Sequence, residues 1–296
     1  MPDLSTQLAD AVAQAAASTV RVHARRGPAA SGIALAADLV LTADHVVDPG
    51  REDSIRVGLP DASELSAALV GRDPTTDIAV LRLPEAKLTP ARPAESEPRT
   101  GSLALAVARP GTEPQASLGL VTGLGGPART RRGGMLERFL WVDTVLYPGF
   151  SGGPLVDTSG AVLGMNTSGL GFGGPALAIP WTLARQIAET IGQHGKVPRG
   201  YLGVGTQPIA LSQAARDLTG GPERGLLVVQ VADGGPAAQA GVLQGDILVR
   251  IDGSPVSNAD DLQGILGPNR VGSTVAASVV RGGELKELSV TIGARD

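Results

Sequence analysis

The chain has 296 residues, a length that fits two domains, and it carries 41 glycines, 22 prolines and no cysteine. Hydrophobic residues at 42% against 18% charged exclude disorder, and aromatics at 2% leave the core to Val, Leu, Ile and Ala. A net charge of −4 with mixed signs excludes the basic stripe of a duplex-binding protein, so no nucleic-acid partner is expected. Without cysteine there is no disulfide, thiol nucleophile or thiolate metal site, and His23, His45 and His194 are too scattered for an H-E-x-x-H zinc site, so neither metal nor cofactor is expected. No apolar run approaches the roughly 20 residues that span a bilayer. Met1 to Asp10 lack a signal-peptide pattern, which as written reads as cytoplasmic, with a periplasmic or other extracytoplasmic home as the alternative for a trimmed N-terminus.

Leu4, Leu8 and Val12 recur at four-residue spacing and predict an amphipathic helix over residues 4–16. Short β-type runs follow at Thr19 to Arg25, Gly32 to Ala36, Leu39 to Thr42, Ile55 to Leu59, Leu65 to Val70 and Ile78 to Leu83. More come at Leu103 to Val107, Ser117 to Thr122, Phe139 to Asp143, Ala161 to Met165 and Ala176 to Ile179. Gly, Pro, Asp or Ser separates most of them, and no helix intervenes, which predicts antiparallel barrels or a sandwich. Leu183, Ile187 and Ile191 then mark a helix over 182–193, and Gly195, Pro198 and Gly200 read as its stop and a hinge. The last hundred or so residues alternate strand and helix patterns, as in a small α+β module, with a helix predicted over Asn258 to Leu266.

Gly149-Phe150-Ser151-Gly152-Gly153-Pro154-Leu155 is the strongest local signal. A nucleophilic serine needs an exposed hydroxyl, and an oxyanion needs converging backbone N–H groups, which flanking glycines leave unobstructed. The alternative is a plain Gly-rich turn. A serine also needs a base and a group to orient it. His45, in Leu41-Thr42-Ala43-Asp44-His45-Val46-Val47, follows an apolar strand, and Asp77, in Thr75-Thr76-Asp77-Ile78-Ala79-Val80-Leu81, precedes one. Separately each is explicable as a structural residue. Together they fall in the order His, Asp, Ser of chymotrypsin-type triads.

These three segments resemble the catalytic motifs of HtrA/Deg-type serine proteases. Gly160 to Asn166 and Leu177 to Pro180 resemble the family's runs after the serine, and Tyr201-Leu202-Gly203-Val204 with Gly241 to Leu248 resembles its PDZ domain. The resemblance implies a mostly β protein: a chymotrypsin-like double β-barrel followed by a small α+β PDZ domain. The corresponding division is an N-terminal helical segment over 1–18, a protease domain over 19–194, a linker over 195–200 and a PDZ domain over 201–296.

Carried over residue by residue, Ser151 is the nucleophile, His45 the general base and acid, and Asp77 the orienter of the imidazole. The backbone N–H groups of Gly149 and Ser151 form the oxyanion hole. Val145, Ile179 and the stretch Gly169 to Gly174 line the specificity pocket, implying cleavage after small or medium aliphatic residues. Tyr201, Leu202, Gly203, Val204, Ile265 and Leu266 form a groove for C-terminal peptides. Arg129, Arg131 and Arg132 correspond to a loop that relays PDZ occupancy. The family also implies unfolded polypeptide substrates and a homotrimer. Two departures stand out: Phe150 where the family usually has Asn, and Ala43 in the histidine motif. A phenyl ring cannot make the amide's hydrogen bonds, so it either packs and locks the loop or leaves the hole poorly formed. Intact His45, Asp77 and Ser151 favour a PDZ-regulated endopeptidase, and Phe150 keeps open the alternative of a non-hydrolytic peptide-binding scaffold or chaperone with a vestigial triad.

Overall fold

The structure, a computed structural model, describes residues 3–130, 135–170, 176–220, 222–267 and 270–295. It divides into two compact units, Met1–Val197 and Pro198–Asp296.

The first unit opens with α1 (Leu4–Ala16), capped by the Asp3 carboxylate, which accepts from the Thr6 N–H at 2.7 Å. Leu4 is exposed rather than on the packing stripe. The C-terminal half of the helix is the anchored part, because the Ala15 carbonyl accepts from the Ser18 and Thr19 hydroxyls and Arg109 Nη2 donates to the Ala16 carbonyl. The buried face is therefore Ala11 and Ala15, with Leu8 and Val12 beside them.

Seven strands follow: β1 (Thr19–His23), β2 (Ala30–Ala36), β3 (Leu39–Ala43), β4 (Arg56–Gly58), β5 (Glu64–Ser66), β6 (Ala68–Asp73) and β7 (Ile78–Arg82). They form one antiparallel sheet in the order β5-β4-β1-β2-β3-β7-β6. Its two edge strands, β5 and β6, are separated in sequence by Ala67 alone. A single residue cannot cross a flat seven-stranded sheet, so the sheet curls until its edges meet, as in a barrel. The expected continuous strand Leu65 to Val70 is split at this corner, where the Ala67 N–H turns to the Ile55 carbonyl.

The second half contains β8 (Leu103–Ala108), β9 (Gln115–Gly125), a ribbon of β10 (Ala128–Arg129) and β11 (Met135–Leu136), β12 (Phe139–Val142), β13 (Pro154–Val156), β14 (Val162–Thr167) and β15 (Ala176–Pro180). Six of these close a barrel in the order β12-β15-β14-β13-β8-β9. Helix α2 (Trp181–His194) follows, buries Trp181, Ala184, Ile187, Ala188 and Ile191, and ends at Gly195 in the left-handed region with φ 72°.

The second unit has a ribbon of β16 (Arg199–Tyr201) with β23 (Gly293–Arg295). Its main sheet holds β17 (Val204–Ala210), β18 (Arg224–Val231), β19 (Ile247–Ile251), β20 (Ser254–Pro255), β21 (Thr274–Arg281) and β22 (Glu284–Thr291). The order is β17-β18-β19-β21-β22, with β20 on β19, so β17 is an edge strand. Helices α3 (Gln213–Thr219), α4 (Pro236–Gln239) and α5 (Ala259–Ile265) complete it. A core of its own is built around Leu226, Val228, Leu248, Ile251, Val279 and Val290.

Candidate active site

Strand register brings the histidine and the aspartate together. β3 and β7 pair antiparallel with Ala43 opposite Ile78, so the residues just after β3 and just before β7 must be neighbours. His45 sits in the short 3-10 turn Asp44–Val46, and its backbone N–H donates to Asp77 Oδ1 at 2.9 Å. Its ring Nδ1 lies 2.8 Å from Oδ2 and 3.0 Å from Oδ1 of Asp77. Asp77 is fully buried and takes a positive φ of 60°, a conformation that Asp tolerates better than most side chains. The turn is braced from behind by Arg72, whose Nε donates to the buried Asp44 carboxylate and whose Nη2 donates to the Val47 carbonyl at 3.0 Å.

The end of β14 lies across the site. The Thr167 hydroxyl donates to Asp77 Oδ2, and the Gly169 N–H donates to the Thr167 hydroxyl at 2.9 Å. Gly169 packs so closely that a Cβ there would lie 2.4 Å from His45 Nδ1. Ser168 contributes its hydroxyl 3.0 Å from Ser151 Oγ and its N–H, which donates to the same oxygen at 3.3 Å. Ser151 Oγ thus rests against Ser168, and among the described residues no hydrogen bond joins it to His45. Hydrogen bonds of a triad are often long before substrate tightens them.

Ser151 heads a loop between β12 and β13. Gly152 takes φ 84°, and a Cβ there would meet the Ser31 carbonyl at 2.2 Å, so only glycine fits after the serine. The backbone N–H groups of Gly149 and Ser151 donate to no described residue. Phe150 between them is fully buried in the second barrel, with Ala104, Ala106 and Ala108 of β8 and Ala178 of β15 in the same cluster. Four alanines leave the volume that one phenyl ring fills. Tyr147 packs edge-on against the ring at 5.6 Å. Of the two outcomes open for Phe150, the structure has the packed one.

Val145 is half exposed, with its N–H donating to Ser117 Oγ at 2.9 Å, whereas Ile179 is fully buried opposite Met165 in the β14–β15 pair. Arg129 lies on β10, while Arg131, Arg132 and Gly171 to Gly174 lie outside the described residues.

In the second unit, Leu202 is buried, Gly203 takes φ 80°, and Val204 begins the edge strand β17. The Gly203 carbonyl accepts from the Ala232 N–H at 2.7 Å and the Leu202 carbonyl from the Ala237 N–H at 2.8 Å, which fixes both peptides. The N–H groups of Leu202 and Gly203 donate to no described residue. Tyr201 pairs with Gly293, Leu266 is buried, Ile265 is partly buried, and the Gly200 N–H donates to the Leu266 carbonyl at 3.0 Å. An unpaired strand edge beside a loop of free N–H groups suits an added peptide strand ending in a carboxylate.

Sequence reasoning missed Ser31, Thr167, Ser168 and Arg72. Ser, Thr and Arg are common enough that only spatial neighbours mark these four. Among the described residues no group of three His, Asp or Glu side chains is placed to hold a metal, and no helix is long and apolar enough to cross a membrane.

Residues 30–165 match the trypsin-like peptidase domain and residues 200–292 the PDZ domain. Over 271 residues the chain is 36% identical to a probable periplasmic serine endoprotease, DegP-like, of Pseudomonas putida strain W619, covering 89% of this chain and 55% of that one. A counterpart of the same description from Brucella suis is 36% identical over 282 residues, covering 92% and 54%. The chain spans about half the length of these curated relatives. Among solved structures it is similar to the HtrA-type protease AlgW with tripeptide, at 32% identity and TM-score 0.73 over 100% of this chain and 98% of that one. A serine endoprotease from Yersinia pestis gives 28% identity and TM-score 0.76 over 98% of each chain.

Proposed function

The chain belongs to the HtrA-type serine proteases, and on that premise we propose that it is a PDZ-regulated serine endopeptidase. The observation that carries this is the His45 ring held through Nδ1 on buried Asp77 at 2.8 Å, beside a serine whose loop presents two free N–H groups. With Nδ1–H bound to the carboxylate, Nε2 is the basic nitrogen. Ser151 Oγ leaves Ser168 and gives its proton to His45 Nε2 as it attacks the scissile carbonyl. The carbonyl oxygen becomes an oxyanion, which accepts from the Gly149 and Ser151 N–H groups. His45 then returns the proton to the departing amine, and water repeats the sequence on the acyl-enzyme. Asp77 stays ionised throughout and stabilises the imidazolium.

Unfolded or damaged polypeptide is the proposed substrate class, cleaved after small or medium aliphatic residues in a pocket with Val145 and Ile179. C-terminal peptides would bind along β17, the carboxylate on the Leu202 and Gly203 N–H groups, and a homotrimer is the proposed assembly. The relatives are named periplasmic, so the cytoplasmic expectation finds no support and the periplasmic alternative is proposed instead. The scaffold reading leaned on Phe150 standing where the family usually has Asn, and the packed ring weakens that motive.

Digestion of unfolded casein, paired with a fluorophosphonate label and Ser151→Ala, tests the proposal. Wild-type protein should digest and label, and the variant should do neither, with turnover lower by about 10⁴-fold or more. Wild-type protein that fails to label even with a C-terminal peptide present would return the scaffold reading.

A further inference from the structure

We propose that Ser31 is the positioning residue of the oxyanion loop and supplies the polar hold that Phe150 cannot; the inference rests on the proteolytic reading above. Ser31 lies fully buried on β2, outside the loop and in the other barrel. Its backbone N–H donates to the Ser151 carbonyl at 3.1 Å, and its hydroxyl donates to the Gly149 carbonyl at 2.8 Å. One residue therefore grips the loop on both sides of Phe150.

The direction of the hydroxyl is set by its neighbours. The Arg109 backbone N–H, which can only donate, reaches Ser31 Oγ at 2.8 Å, and the Gly149 carbonyl can only accept. The Ser31 proton must point at Gly149. From the other side, the Phe150 N–H donates to the Tyr147 carbonyl at 3.0 Å, so the Gly149–Phe150 peptide is held at both its oxygen and its nitrogen. This is where the hold matters, because Gly149 has φ 95° and no Cβ to limit its rotation. That peptide links the two proposed donors, so free rotation about the Gly149 backbone would swing the Ser151 N–H away from the Gly149 N–H and end their convergence. Ser31 is itself immobile: its carbonyl accepts from the Thr42 hydroxyl at 2.7 Å, and β2 is paired on both sides, to β1 and β3. Where an amide side chain at position 150 would hold the loop from within, this chain holds it from the neighbouring barrel and spends position 150 on the core.

The test compares wild type, Ser31→Ala and Ser31→Cys in the full chain on a peptide substrate, with Ser151→Ala as the blank. Fluorophosphonate titration counts competent sites, so kcat is expressed per labelled site and loss of folded protein drops out. Removing a hole donor outright costs about 10²- to 10³-fold, and loosening the loop should cost less. The expected result is a per-site kcat about 10- to 100-fold lower in Ser31→Ala with KM within about 2-fold, and an intermediate value in Ser31→Cys, whose thiol is a weak donor. A per-site kcat within about 2-fold of wild type in Ser31→Ala, or a rise in KM at constant kcat, overturns the inference and leaves the protease reading standing. Wild-type protein that neither labels nor cleaves overturns that reading and this inference with it.

Discussion

Phe150 joins catalysis to stability at one position. Its ring is fully buried among alanines of the second barrel, while its backbone lies directly between the Gly149 and Ser151 N–H groups proposed to bind the oxyanion. Deleting it leaves a cavity that three alanines of one strand cannot close, because β8 is paired on both sides, to β9 and β13. Phe150→Ala should therefore destabilise the first unit by about 3–5 kcal/mol, the range for burying an aromatic and then removing it. Because the loop loses its apolar anchor as well, kcat per labelled site should fall while KM stays close to wild type. Denaturant unfolding with site-titrated kinetics separates the two effects, and an undiminished kcat would show that Ser31 alone suffices to hold the loop. At this scale the triad was legible because His, Asp and Ser each carried a local motif. Ser31 and Thr167 were not, since their importance lies in partners 118 and 90 residues away in sequence, respectively.

Elements were legible where their signal was local. The strands of both barrels follow apolar runs bounded by Gly, Pro or Asp, and α2 follows its apolar stripe to Gly195. What pattern could not convey was closure: Leu65 to Val70 reads as one run, yet Ala67 is the corner at which the chain passes from one edge of the sheet to the other. β13 was hidden too, because Pro154 and the preceding glycines read as loop chemistry alone. In the second unit the turn Gly241 to Asp246 is a comparable device, and a charge fixes it. Burial pushes the Asp246 carboxyl up, but the Arg281 guanidinium and the Leu243 N–H outweigh it and hold the group below its ordinary value of 3.8. A depressed carboxylate stabilises the fold fully above its unfolded value, and that contribution disappears as pH falls through the folded value. Between about pH 5 and pH 2 the second unit should lose stability, and Asp246→Asn, with no charge to lose, should show a shallower acid slope from a lower starting point. Hydrogen exchange of the β19 amides in the full chain measures this, and parallel slopes in the two proteins would show that Asp246 does not set the acid limb.

At the scale of the whole molecule, each unit has its own apolar core: Val20, Leu41, Val80 and Ile191 belong to one, Leu226, Leu248 and Val279 to the other. Separate cores are the condition for one unit to persist without the other. The position of a cut matters. Ending the chain at His194 would remove Gly195, whose N–H caps α2 at the Ile191 carbonyl, and Val197, which packs on the first core. A chain ending at Val197 keeps both, and with them Ile191 and the helix that packs on β6, β7 and β14. It also keeps His45, Asp77, Ser151 and Ser31 with every hydrogen bond described among them. If regulation resides in the PDZ unit, the shortened protein should still label with fluorophosphonate and cleave a peptide substrate, but a C-terminal activating peptide should no longer raise its rate. Titrating that peptide into full-length and shortened protein, with rates per labelled site, decides the matter. Equal stimulation of both would place the activating site in the first unit and remove the PDZ groove from the regulatory mechanism.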